Sequence, residues 1–221
     1  MPAFTRTPEI GALVAVGRAD EALELLQGLE FERAGAGVLL GAADEMEAHG
    51  DPTGARTVRE LSLERHEALA EDERRPDYDV QRGLILASLG RDGKAGELFQ
   101  RLIEDDSENF RARIELAFVA ARTGDHTYAE ETISWLGDRL PDPQQASVDQ
   151  ARIAAVLGDA PRTVRLLQQA ERAGEDDFRR LHVRPEYRSV RDHPAFKEYA
   201  APRDTERTGL LGWLPRFIRP D

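Results

Sequence analysis

The sequence predicts an all-α chain: a right-handed solenoid of about five antiparallel helical hairpins, closed by a C-terminal capping segment. Three observations lead there. Five glycines are each followed, five positions on, by alanine or once by threonine: Gly17/Ala22, Gly50/Ala55, Gly90/Ala95, Gly124/Ala129 and Gly158/Thr163. Successive pairs lie 33, 40, 34 and 34 residues apart, and a fixed period near 34 marks stacked helix pairs. A composition of 40% hydrophobic, 33% charged and 6% aromatic residues suits long solvated helices over a continuous core. Because each unit of such an array contacts only its neighbours, the chain reads as one body. Residues 1–175 form the array, 176–200 its C-terminal cap and 201–221 a linker with an apolar tail.

The first unit is short. Pro8 prevents a helix from extending back past Thr7, which leaves about three turns before Gly17. Ile10, Leu13, Val14 and Val16 give that helix no polar outer face, so a start partway into a longer array fits better than a terminal cap. The same apolar stretch lacks a basic leader and runs at once into Arg18 and Asp20, unlike a secretory signal.

In the second unit Ala43 and Ala55 are the small residues, but Arg59 and Ser62 stand where apolar filler is expected, with Val58 and Leu61 offset by one. Its second helix is predicted to continue to Arg75, which accounts for the 40-residue step. The third unit is the clearest. Gly90 accepts the positive φ that ends one helix, and Asp92 is placed to cap the next. Gly83 and Ala95 let the two backbones approach, while Leu86, Leu98, Phe99 and Leu102 fill the space around them. The fourth unit uses Ala117 and Ala129 with Leu116, Ile133 and Leu136, and Pro141 stops its second helix. The fifth uses Ala151, Ala154, Leu167 and Ala170. There Thr163 replaces alanine and Pro161 falls in the first turn, so looser packing is expected.

Residues 176–200 break the pattern. Pro185 and Pro194 interrupt them, Asp192 is placed to cap a short helix, and Phe178, Leu181, Tyr187, Val190, Phe196 and Tyr199 supply anchors. This segment would cover the apolar face of the last hairpin. Beyond the polar residues 201–209, Trp213, Leu214 and Phe217 concentrate apolar surface beside Arg216 and Arg219. They either dock on the array or contact a partner subunit, a neighbouring groove or a membrane surface; Pro215 disfavours the membrane version.

The small residue, glycine, alanine and large apolar residue recurring at these offsets resemble the tetratricopeptide repeat family, over about residues 8–174. The closing segment is similar to the tail that ends the repeat region of many bacterial multidomain regulators, where repeats follow a kinase, cyclase or DNA-binding domain. The resemblance implies that the first helix of each hairpin lines a concave groove. On the three clearest units the groove positions are Asp77, Val80, Leu84 and Ala87; Arg111, Ile114, Phe118 and Ala121; and Gln145, Val148, Arg152 and Ala155. Val80, Ile114 and Val148 stand where some members carry a carboxylate clamp, so that mode is not expected. Leu84, Ile114, Phe118 and Val148 remain as apolar anchors, with Arg111, Arg122 and Arg152 as orienting charges, for a helix or extended peptide of a protein partner. The same residues could instead pack against the neighbouring hairpin.

Other classes are disfavoured. A formal charge of −12, with 30 basic residues interleaved among 42 acidic ones, lacks the basic stripe that nucleic acid needs. No run reaches the roughly 18 apolar residues of a membrane span. With no cysteine, disulfides, thiolate metal sites and cysteine nucleophiles are excluded. His182 with Glu186, or Asp192 with His193, could be imagined as metal ligands, but Pro185 and Pro194 break the required spacing. Gly35, Gly37 and Gly41 follow no strand and make no dinucleotide fingerprint. The expectation is therefore a cytoplasmic, non-enzymatic interaction scaffold with no cofactor and no metal. The alternative is an assembly element whose tail drives self-association or membrane attachment.

Overall fold

The computed structural model describes Leu13 and residues 18–27, 31–71, 77–175, 181 and 184–201. These residues form helices α1 (Ala19–Gln27), α2 (Phe31–Ala48), α3 (Pro52–Glu67), α4 (Tyr78–Ser88) and α5 (Asp92–Asp105). They continue as α6 (Phe110–Thr123), α7 (His126–Arg139), α8 (Pro143–Val156), α9 (Ala160–Arg172), a 3-10 turn (Pro185–Tyr187) and α10 (Pro194–Ala200). The described chain is all-helical; α1 packs on α3, and from α2 onward each helix packs on the next in sequence.

One local device recurs at five helix ends. The glycines at 50, 90, 124, 158 and 174 all have positive φ, between 71° and 111°. In each case the N–H of the residue after the glycine donates to a carbonyl five residues back: Asp51 to Met46, Arg91 to Leu86, Asp125 to Ala120, Asp159 to Ala154 and Glu175 to Ala170, at 2.9–3.0 Å. This is the Schellman end, which satisfies carbonyls that the helix leaves over. Gly174, not among the sequence-spaced glycines, belongs to the same set. Gly17 lies outside the described residues.

The residue after the glycine then decides the next cap. Asp51, Asp125 and Asp159 accept from the N–H groups of Gly54, Tyr128 and Arg162 at 2.8, 3.1 and 3.0 Å. After Gly90 the cap position is Arg91, which makes no side-chain cap bond. Asp92, expected as that cap, lies one residue too late, inside the first turn, and accepts instead from Arg122 at 2.5 Å. Asp192 is likewise displaced by its neighbour. The cap of α10 is His193, whose Nδ1 accepts from the Ala195 N–H at 3.2 Å, while Asp192 pairs with Lys197.

The long helix expected to reach Arg75 ends at Glu67. At that end His66 is buried; its Nε2 donates to the Tyr78 carbonyl at 3.0 Å, and its ring stacks on Tyr78 at 4.1 Å. Tyr78 O–H donates back to the His66 carbonyl at 3.1 Å. Burial holds the imidazole below its ordinary pKa. These contacts tie α3 directly to the start of α4, so the extra residues of the 40-residue step fall between the two helices.

The core runs along the chain in three clusters rather than around one centre. The first joins α1 to α5 with one face of α6 through Ala43, Ala55, Val58, Ala95, Phe99 and Val119. The second lies on the other face of α6, where Ala117, Phe118, Ala129, Leu136 and Ala154 meet. The third joins α8 and α9 to Leu181, Tyr187, Val190, Phe196 and Tyr199. The predicted small pairs are therefore fully buried, and Thr163 is too, its hydroxyl donating to the Asp159 carbonyl at 2.8 Å. Thr163 thus occupies its alanine-type position with its polar atom satisfied, and the joint is not loosened.

Arg59 fills its expected apolar site as a buried cation. It donates to Asp44 at 3.1 Å and to Glu47 at 2.6 Å, both on α2, while Ser62 beside it is fully buried. Among the described residues no helix is long and apolar enough to cross a membrane.

Candidate functional site

The first members of successive helix pairs touch one another: α2 contacts α4, α4 contacts α6, and α6 contacts α8. Along them the same polar pair recurs every 34 residues. Gln81 Nε2 donates to Asp77 at 3.1 Å on α4, Arg111 pairs with Glu115 at 3.0 Å on α6, and Gln145 donates to Asp149 at 2.8 Å on α8. A second ladder runs beside it through Leu84, Phe118, Arg152 and Glu186, again in steps of 34. The Arg152 guanidinium carbon lies 4.7 Å from the Phe118 ring centre, over its face. Arg152 Nε and Nη2 both donate to Glu186, at 2.9 and 2.5 Å.

Glu186 belongs to the 3-10 turn, so the turn takes the place that the next first helix would occupy. The Ser189 hydroxyl donates to the Ala155 carbonyl, once more across 34 residues. The repeat period thus continues into the closing segment although the sequence pattern does not. Tyr187, fully buried on α8 and stacked on Phe196, anchors it there.

This placement corrects part of the expected groove. Ile114, Phe118 and Arg152 are buried, Phe118 beneath the Arg152 guanidinium and Arg152 beneath Glu186. Ile114 and Phe118 pack in the core with Ala129, Ile133 and Ile153, the alternative of packing against the neighbouring hairpin, and Arg152 is held by Asp149 and by Glu186 of the closing segment, so none of the three is an exposed anchor or orienting charge. Arg122 faces the second helix of its neighbouring pair, where it holds Asp92. Leu84 and Val148 are half-buried and Arg111 is exposed, so these three stay accessible. Trp213, Leu214 and Phe217 lie outside the described residues.

Around Arg152 the electrostatics are tight. Its Nη1 donates to Asp149 at 2.9 Å, and Glu115 stands 4.0 Å away. Burial disfavours its charged form, but Glu186, Glu115 and Asp149 outweigh burial and hold the guanidinium above its usual range. Burial would also raise Glu186; Arg152 reverses that, and the carboxyl titrates below its ordinary value. For Glu115 burial wins over Arg111 and Arg152, and the carboxyl is held above its ordinary value.

The sign of the pH dependence follows. A carboxyl whose pKa is raised by folding binds its proton more readily in the folded chain, so stability rises as pH falls from neutral toward the unfolded value near 4.5. Glu186 acts oppositely, its contribution being lost as pH falls below that value. Glu115→Gln is expected to flatten the profile between pH 7 and about 4.5, by about 1.4 kcal/mol for each pKa unit that folding adds. Urea midpoints across that range would check it, and an unaltered slope would reject Glu115 as the source.

Among the described residues no group of His, Asp or Glu side chains is arranged to hold a metal ion. The sequence had set Glu186 beside His182 as an imagined ligand; the structure uses Glu186 as the partner of Arg152, and His182 lies outside the described residues. The signal that identifies this role is the 34-residue offset from Arg152, legible only once the period is continued past the last glycine. Comparison with protein-family models, curated proteins and solved structures found no match to this chain.

Proposed function

We propose that this protein is a non-enzymatic interaction scaffold, a right-handed solenoid of antiparallel helical hairpins resembling the tetratricopeptide repeat. The observation that carries this reading is the face shared by α4, α6 and α8, whose side chains recur at 34-residue intervals and against which α2 packs through α4. A repeated face offers one kind of pocket several times, which suits an extended or helical peptide.

The docking surface of this reading is its accessible part, with half-buried Leu84 and Val148 as apolar anchors and exposed Arg111 to orient an acidic group. The closing segment bounds it at the α8 end. The partner is a protein or peptide, and the net charge of −12 argues for a surface that stays soluble and does not take nucleic acid.

The test uses side chains whose replacement leaves the core intact. Leu84→Glu and Val148→Glu should each remove the proteins retained by the wild-type chain from a native lysate while leaving the circular dichroism spectrum and thermal midpoint nearly unchanged. If the retained proteins are the same with both variants, the shared face is not the docking surface.

A further inference from the structure

Three residues before each glycine that ends a first helix stand Glu47 on α2, Ala87 on α4, Ala121 on α6 and Ala155 on α8. Continued by one more period, this register falls on Ser189 of the closing segment, which bonds the Ala155 carbonyl. Glu47 and Ser189 are therefore equivalent positions at opposite ends of a row of five elements: α2, α4, α6, α8 and the 3-10 turn, each touching the next. Helices packed side by side lie about 8–10 Å apart, so four straight steps would separate the ends by roughly 30–40 Å. Yet Arg188, adjacent to Ser189, pairs with Glu47 at 2.7 Å. The row thus curls until its ends meet, and alanine at the three intervening rungs permits the close approach on one side that such a curl requires.

This junction differs in kind from the packing elsewhere. The buried apolar residues of α2 belong to the first core cluster, whereas Tyr187 and Val190 of the closing segment belong to the third. Between the two ends lies an open recess of about 300 Å³ with a mostly charged lining, Asp44, Glu47, Arg188 and Arg191 beside Ala48 and Pro185. The Arg188 side chain is 60% exposed and that of Glu47 26%, so water and salt reach the pair. Breaking it strands no charge, because Glu47 keeps Arg59 at 2.6 Å and Arg188 passes into water. Burial would raise the Glu47 carboxyl; Arg59 and Arg188 reverse that and hold it below its ordinary value, so both arginines face a carboxylate at neutral pH.

We propose that the Arg188–Glu47 pair is a salt-sensitive latch that closes the row of first helices into a ring, and that its release lets the two ends part while the core clusters stay packed. Each pair in a stack contacts only its neighbours, so small shifts at several joints suffice to open the curl without unfolding. Leu84 and Val148 precede rung positions Ala87 and Ala155 by three and seven residues, which places them on the same helix face. The closed ring therefore has the docking surface on its inner side, and opening would admit a partner. That consequence rests on the scaffold reading; the opening itself does not.

The chain has no cysteine, so two introduced ones carry labels uniquely. His49→Cys, just after α2, and Glu198→Cys, on α10, both replace exposed residues. Spin labels on this pair in the full chain, with no partner present, would report the separation of the ends by pulsed electron paramagnetic resonance. Between about 0.01 M and about 1 M NaCl the Debye length falls from about 30 Å to about 3 Å, and the ratio of long to short distances should rise about two- to fivefold. Arg188→Gln should give that rise at low salt and respond little to added salt. Arg188→Lys, which keeps the charge, should stay close to the unsubstituted chain at low salt and controls for folding. An unchanged distance distribution at high salt and in Arg188→Gln would overturn the latch, as would long distances that already dominate at low salt. A salt response that Arg188→Gln fails to reproduce would assign closure to other charges and overturn it equally. Because this readout uses no partner, its failure is distinct from failure of the docking surface, which Leu84→Glu and Val148→Glu test.

Discussion

Arg152→Met is expected to destabilise the chain by about 3–5 kcal/mol at neutral pH, read from urea unfolding. Methionine matches much of the volume of arginine and would still cover Phe118, so lost packing is a small part of the effect. The cost arises because Glu115 and Asp149, both buried, and half-buried Glu186 remain behind without the Arg152 cation, Glu115 keeping only the exposed Arg111. A carboxylate left without a partner in a desolvated site takes up a proton at higher pH. The deficit relative to wild type should therefore shrink as pH falls from 7 toward 5. Glu186→Gln keeps an acceptor oxygen for Arg152 but removes one negative charge, and Asp149 stays on Arg152, so its cost should be smaller, about 1–3 kcal/mol. An Arg152→Met penalty below about 1 kcal/mol, or one that does not change with pH, would show that the cluster is solvated and contributes little.

Much of this architecture was legible because backbone geometry imposes it. Glycine at a left-handed helix end and alanine where two helices meet are demands that few other residues satisfy, so they surface as spacing. Which residue caps the next helix depends on a single position after that glycine, and there Asp92 misled because the turn sets the cap at Arg91. The end of α3 was hidden for a different reason. Nothing between Arg65 and Arg75 breaks a helix; what stops it is the contact of His66 with Tyr78, a tertiary interaction that periodicity does not carry.

Groove and core positions differ by one step of helix phase, and of the groove positions Ile114, Phe118 and Arg152 fall on the buried side. Phe118 and Arg152 do occupy equivalent register positions, but a non-repeating segment with two prolines gave no sign that Glu186 and Ser189 would continue the same register. Arg59 shows the converse. It reads as a defect in an apolar pattern, and it is stable there because Asp44 and Glu47, one helix earlier, face it. Pairing of charges across helices is a property of three-dimensional neighbours, so neither site could be recognised from residue type alone.

Gly83→Ala is expected to destabilise by about 1–3 kcal/mol, although alanine is the better helix former by up to ~1 kcal/mol. A methyl at this position would lie 2.4 Å from Cε1 and 2.6 Å from Cζ of Phe99, a ring that is fully buried against α4. Neither ring nor helix can retreat easily, since Ala95 on the same helix as Phe99 is buried in the same cluster. Phe99→Ala alone should cost about 3–5 kcal/mol through lost burial and the cavity left behind. In that background the added methyl meets empty space. Gly83→Ala should then be neutral or stabilising, recovering the propensity of alanine and part of the cavity. A double-mutant cycle by urea unfolding would thus give a coupling of about 1–3 kcal/mol, and additivity within about 0.5 kcal/mol would mean that α4 and α5 do not depend on this contact for their separation.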